Sequence, residues 1–204
     1  MSLGRQPICA TLRSVSGILL GILLGILMVI LLTVPVLAGN PVSDCQEQAT
    51  QLAVGSRSTG TGVNNLDRQV AVLIRWIDEA TSYDVSSTRT DPPEIVFTAS
   101  GGLIEYEQRQ IVVEPNLRGA YDLSHRRIYL VCPWTSGNPR NVATLLHELV
   151  HDIQFQTRSW QCSQAAEWEA YQLQERWLVQ QGIAADFNWV QILMLARCPR
   201  DLHW

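Results

Sequence analysis

The stretch that decides the reading is Asn141-Val142-Ala143-Thr144-Leu145-Leu146-His147-Glu148-Leu149-Val150-His151-Asp152-Ile153-Gln154-Phe155-Gln156. Leu145, Leu146, Leu149, Val150 and Ile153 recur at helical spacing and form one apolar stripe. The pattern predicts a helix that starts from a cap at Asn141 or an adjacent residue and runs to about Gln156. On such a helix His147 and His151 are separated by about 400° of rotation, so both rings leave from nearly the same side, one turn apart.

Outward from this helix, Thr157–Cys162 reads as a short connection. Ser163 has the side chain of an N-cap for a second helix through about Gln180. Gly182 ends that helix, and residues 184–196 predict a last one. Upstream lie three strand-like runs rich in Ile, Val and Tyr: Glu94–Thr98, Gln110–Glu114 and Arg127–Cys132. Gly101-Gly102 and Asn116–Gly119 read as turns between them. Residues 66–82 have helical periodicity through Leu66, Val70, Leu73, Ile74 and Ile77, and polar residues from Ser82 to Pro93 break it. The expected class is α+β: a helix, a short and mainly antiparallel sheet, then the motif helix packed against C-terminal helices.

The spacing of the two histidines lets both imidazoles reach one zinc ion at about 2.0–2.1 Å. Glu148, one position after the first histidine, reaches a water on that metal rather than the metal itself. It can take the water's proton and later deliver it to a leaving amine. Zinc needs a third protein ligand, and catalysis needs an open fourth position. No histidine follows His151 at the spacing that would supply the ligand, and His203 sits near the chain end. The candidates are Glu167 and Glu169 in Ala165-Ala166-Glu167-Trp168-Glu169-Ala170-Tyr171. Helical phase does not separate them, because the stripe Ala166, Ala170, Leu173, Trp177 has one glutamate on either flank.

His147-Glu148-Leu149-Val150-His151 followed by Glu167-Trp168-Glu169-Ala170-Tyr171 resembles the gluzincin pattern of zinc metallopeptidases, an HExxH run with a downstream ExxA[D/N] run. The resemblance covers about residues 127–178 and names no subfamily. It implies a small zincin-like domain with Zn2+ as cofactor, His147, His151 and Glu167 as ligands, and Glu148 as catalytic base. It places Tyr171 where an Asp or Asn usually supports a ligand histidine through a hydrogen bond. It also likens the strand Arg127–Cys132 to an edge strand on which a peptide substrate pairs through its backbone. Asp152 is a further candidate for orienting a ligand histidine. Tyr121, His125 and Tyr171 are candidates for stabilising an oxyanion.

The ends and the charge bound the setting. Arg5 and Arg13 precede an almost wholly apolar run from Gly17 to Val36, and Val36-Leu37-Ala38 offers a cleavage site before Gly39. Residues 1–38 therefore read as a signal peptide. The run is also long enough to be a retained membrane anchor, with Gly17, Gly21 and Gly25 at helix-dimer spacing. Either reading exports the body, whose only expected membrane contact is this segment. Residues 39–65 read as a short helix and a Gly/Ser-rich linker, and 66–204 as the metallopeptidase domain. Beyond Ala38, thirteen arginines face nineteen acids, a net charge of −6. With no arginine cluster interleaved with aromatics, that balance excludes a nucleic-acid partner. Cys45, Cys132, Cys162 and Cys198, an even count in an exported chain, predict two disulfides of undetermined pairing.

The expected function is hydrolysis of a peptide bond in a peptide or protein substrate by zinc-activated water. A zinc amidohydrolase of cell-wall peptides shares the ligand set. A non-catalytic exported binding module with the same fold is the third alternative, against which the intact Glu148 argues.

Overall fold

The computed structural model describes residues 65–198. The expected signal or anchor, Cys45, His203 and all but the last residue of the expected linker lie outside the described residues. Helix α1 (Asn65–Ala80) and a one-turn helix α2 (Ser86–Thr90) come first. Strands β1 (Glu94–Thr98), β2 (Leu103–Tyr106), β3 (Arg109–Val112), β4 (Gly119–Asp122) and β5 (Arg127–Val131) follow. Helix α3 (Pro139–Thr157), a 3-10 turn (Ser163–Ala166), α4 (Glu167–Gln180) and α5 (Trp189–Leu195) complete the described chain. The α+β class holds. Among the described residues no helix is long and apolar enough to cross a membrane.

The strands form a three-stranded sheet of order β1-β5-β4 and a separate hairpin, β2-β3. The expectation of a mainly antiparallel arrangement holds for two of the three strand pairings and needs correction for the third. β1 and β5 run parallel, from Glu94↔Arg127 to Thr98↔Val131, while β4 and β5 run antiparallel. A second correction follows: Arg127–Val131 is the central strand, not an edge. Its residues alternate between two apolar clusters. Ile128 and Leu130 pack with α1 and α3, and Tyr129 and Val131 pack with Ile104 and Val113 of the hairpin region. Burial on both faces is what its unbroken apolar run reflects. The edges belong instead to β1 and to β4, which begins inside the segment read as a turn.

α1 turns Val70, Leu73, Ile74 and Ile77 into the main core. α3 buries twelve consecutive or near-consecutive residues, Val142 to Gln154, because sheet, α1 and α4 surround it. Its cap is Asn138, whose side chain accepts from the Arg140 N–H, with Pro139 at the first helical position. Asn141 is therefore inside the helix, and its carbonyl accepts from the Trp134 indole at 2.9 Å. Ser163 opens the 3-10 turn that leads into α4 without capping it by its side chain. Of the cysteines, Cys162 bonds Cys198, and Cys132 is also disulfide-bonded.

Candidate metal centre

His147 and His151 leave α3 on the side facing α4, and Glu167 is the first residue of α4. The 3-10 turn brings that first residue back over the α3 surface, so the carboxylate meets both rings. His147 Nε2 lies 3.3 Å from Glu167 Oε2, His151 Nε2 lies 3.4 Å from Glu167 Oε1, and the two Nε2 atoms are 3.1 Å apart. Both rings are buried, and the Glu167 side chain is one-third exposed. Glu169, one alternative in the sequence, points elsewhere: its carboxylate accepts from Tyr83, Gln154 and Arg158.

These separations fit a shared cation. Ligand atoms at 2.0–2.2 Å from one tetrahedral zinc lie about 3.3–3.5 Å from each other. The contact between the two Nε2 atoms points the same way. Two neutral imidazole lone pairs repel at that distance unless a proton or a metal lies between them. Where no metal is bound, a proton can do this work. Burial opposes charge on His151, yet hydrogen bonding to Glu167 and the charges of Glu167 and Glu148 outweigh it and raise its pKa. Burial likewise opposes charge on Glu167, and the two histidines more than offset it, holding the carboxyl far below the usual glutamate range. Imidazole nitrogens with one carboxylate suit zinc.

Glu148 stands beside this cluster and is buried, which raises its pKa against the lowering pull of His147 and His151. His147, His151, Glu167 and Glu148 open onto a cavity of about 560 Å³ lined by Tyr106, Gly119, Tyr121, Phe155, Tyr171 and Phe187 among others. Residues 63–204 match a family described as Domain of unknown function (DUF6647). The chain belongs to that family. No curated protein and no solved structure matches it.

The other candidates in this DUF6647 chain fall outside the ligand set. Asp152 does not touch a ligand histidine. It is fully buried about 100° round α3 from His151, where it accepts from Thr88 (2.6 Å), Tyr121 (2.9 Å), Arg126 (3.1 Å) and Gln156 (2.6 Å). That network ties α2 and the β4–β5 turn to α3 and takes the Tyr121 hydroxyl away from any oxyanion. His125 pairs with Asp122 at 2.7 Å, not with the centre. Tyr171 meets His147 through its ring, edge-on at 4.5 Å between centroids, rather than through a hydrogen bond. Among the described residues His147 Nδ1 is buried without a hydrogen-bond partner.

Three contributors escaped the sequence reading. Gln154 accepts from His151 Nδ1 at 3.0 Å, three residues along α3. Tyr106, near the tip of the hairpin, faces the cavity, and burial together with the charges of Glu107, Glu148, Glu167 and Asp122 raises its pKa. Gly119 on β4 lies so close to α3 that an added Cβ would meet Glu148 Oε1 and Thr144 Cγ2, each at 2.8 Å. The His-plus-three spacing of a fully buried glutamine was a usable signal for Gln154. Nothing local in the sequence marks Tyr106 or Gly119, because their roles arise from chain crossings far from the motif.

Proposed function

We propose that this chain is an exported zinc metallopeptidase with a zincin-like domain, and that it hydrolyses peptide bonds. The observation that carries the reading is the convergence of His147, His151 and Glu167 at zinc-ligand separations with Glu148 beside them in an open cavity. A bound zinc supplies a Lewis acid that lowers the pKa of a water toward neutrality. Glu148 accepts the proton of the attacking water and passes it to the departing amine. Its burial suits this task, since a carboxylate with a raised pKa takes a proton from water more readily than a solvated one.

β4 supports a peptide as the substrate. Val131 N–H donates to the Arg118 carbonyl, so along this antiparallel ladder the even-numbered residues of β4 face β5. The backbone groups of Gly119 and Tyr121 therefore face away from the sheet, and both residues line the cavity. An extended peptide can pair with that edge independently of its side chains. The uncovered phenols of Tyr106 and Tyr171, also in the cavity lining, are donors available to a polarised carbonyl oxygen. Export rests on the apolar N-terminal run and its flanking arginines.

Glu148→Gln is the decisive variant. It keeps the three ligands, so stoichiometric zinc is expected by elemental analysis, while turnover of a mixed peptide library falls by at least about a thousandfold. Cleavage at the wild-type rate would sink the proposal. Peptidoglycan fragments in the same assay separate cell-wall amide bonds from ordinary peptide bonds.

A further inference from the structure

We infer that Gln154 is a positioning residue that fixes the tautomer and ring plane of His151, and that Glu169 acts through Gln154 rather than on the metal. The inference rests on the reading of His147, His151 and Glu167 as zinc ligands.

The argument is one of donors and acceptors. The Gln154 side chain is fully buried. On one side its amide faces the Ala166 carbonyl at 3.2 Å and the Glu169 carboxylate at 3.1 Å. Both groups only accept, so the nitrogen of the amide must face them. The oxygen then faces His151 Nδ1, which must carry the hydrogen. In the neutral ring that leaves the lone pair of His151 on Nε2, the atom that points at His147 and Glu167. The hydrogen on Nδ1 is required by the amide contacts whether or not Nε2 also carries a proton.

Glu169 is held for this purpose. Tyr83 donates to it at 2.5 Å and Arg158 at 2.7 Å, while Arg158 also lies over the Trp160 ring at 3.7 Å. The connection after α1, the connection after α3 and the first turn of α4 thus converge on one carboxylate, two residues past the ligand Glu167. The two glutamates divide the labour: Glu167 faces the site, and Glu169 orients the amide that orients His151. Such partners of a ligand histidine typically change metal affinity ten- to a hundredfold. His147, with Nδ1 unpartnered, has no counterpart, so the effect belongs to one of the two ligands.

The test uses the full-length chain, ¹⁵N-labelled and metal-free, at a pH high enough that the His151 ring is neutral, with imidazole nitrogen shifts reporting its tautomer. Wild type is expected to show hydrogen on Nδ1. Gln154→Leu removes the acceptor, so the Nδ1 form is lost and zinc affinity, read against a chromogenic chelator, falls about ten- to a hundredfold. Gln154→Glu combined with Glu169→Gln exchanges carboxylate and amide, and recovers the Nδ1 form and most of the affinity. A wild-type tautomer and affinity in Gln154→Leu would overturn the inference. Should that variant not fold, Glu169→Gln decides. It is expected to weaken zinc less than Glu167→Gln does, and an equal loss would make Glu169 a ligand and overturn the assignment. Absence of zinc binding in wild type would remove the metallopeptidase reading, yet the tautomer would still decide the role of Gln154.

Discussion

His151 and Glu148 show how single side chains set the chemistry. The raised pKa of His151 means that a proton occupies the site of the metal-free protein up to a pH above the ordinary histidine value. The sign follows. That proton stabilises the metal-free fold fully below the unfolded-state pKa, and the contribution is lost as pH rises through the folded-state value. The same rise frees the lone pair for a cation. Zinc binding is therefore expected to release about one proton near neutral pH and fewer at higher pH, measurable by titration calorimetry in buffers of different ionisation enthalpy. Gly119 matters for space and not for backbone freedom. A methyl at this position would press on Glu148 Oε1 and Thr144 Cγ2, and β4 is pinned to β5, so the carboxylate must give way. Gly119→Ala is expected to lower kcat about ten- to a hundredfold with zinc still bound, the scale expected of a misplaced reacting group. A kcat unchanged in steady-state assays would mean that Glu148 can move without cost.

At the scale of elements, legibility tracked how local the causes are. α3 was readable because its stripe, its histidine pair and its length all lie within one segment. β1 was readable from Ile95, Val96 and Phe97 for the same reason. β4, four residues including Gly119 and Ala120, has no strand signature and exists because β5 offers it a ladder. The parallel pairing of β1 with β5 spans the whole hairpin and was invisible for a similar reason. Glu167 and Glu169 could not be told apart by phase, since the deciding fact is the 3-10 turn that sets the start of α4. The start of α3 was misplaced by three residues because Asn138 and Asn141 offer the same capping chemistry and only Asn138 precedes the proline at the first helical position. Asn138→Ala is expected to cost about 1 kcal/mol in denaturant unfolding. The cap lies more than two turns from His147, so zinc affinity should not change. A loss of affinity larger than the loss of stability would show that the cap also sets the position of the histidines.

Across the whole molecule, the centre depends on holding two helices together through an otherwise short and polar connection. α3 carries two of the proposed ligands, His147 and His151, and α4 carries the third, Glu167, and the chain between them passes through Cys162. The Cys162–Cys198 bridge joins that connection to the end of α5 across a separation of 36 residues, and the loop it closes contains Glu167 and all of α4. Closing a loop of that size restricts the unfolded chain by about 3–4 kcal/mol on the entropic account. A metal held by His147, His151 and Glu167 would bridge α3 to α4 over the same connection, so the two restraints would overlap. In the metal-free protein, Cys162→Ser with Cys198→Ser is expected to lower Tm by about 10 °C in scanning calorimetry. With zinc at a hundred times its dissociation constant, about 2.7 kcal/mol should return by mass action, restoring most of the midpoint. If zinc restores nothing in the bridged-to-serine variant while still stabilising wild type, the disulfide is what keeps Glu167 within reach of the histidines. An unchanged midpoint in the metal-free variant would instead assign that task to packing, with the buried Ala166 and the Trp160 indole, which donates to the Gln154 carbonyl, holding the connection against α3.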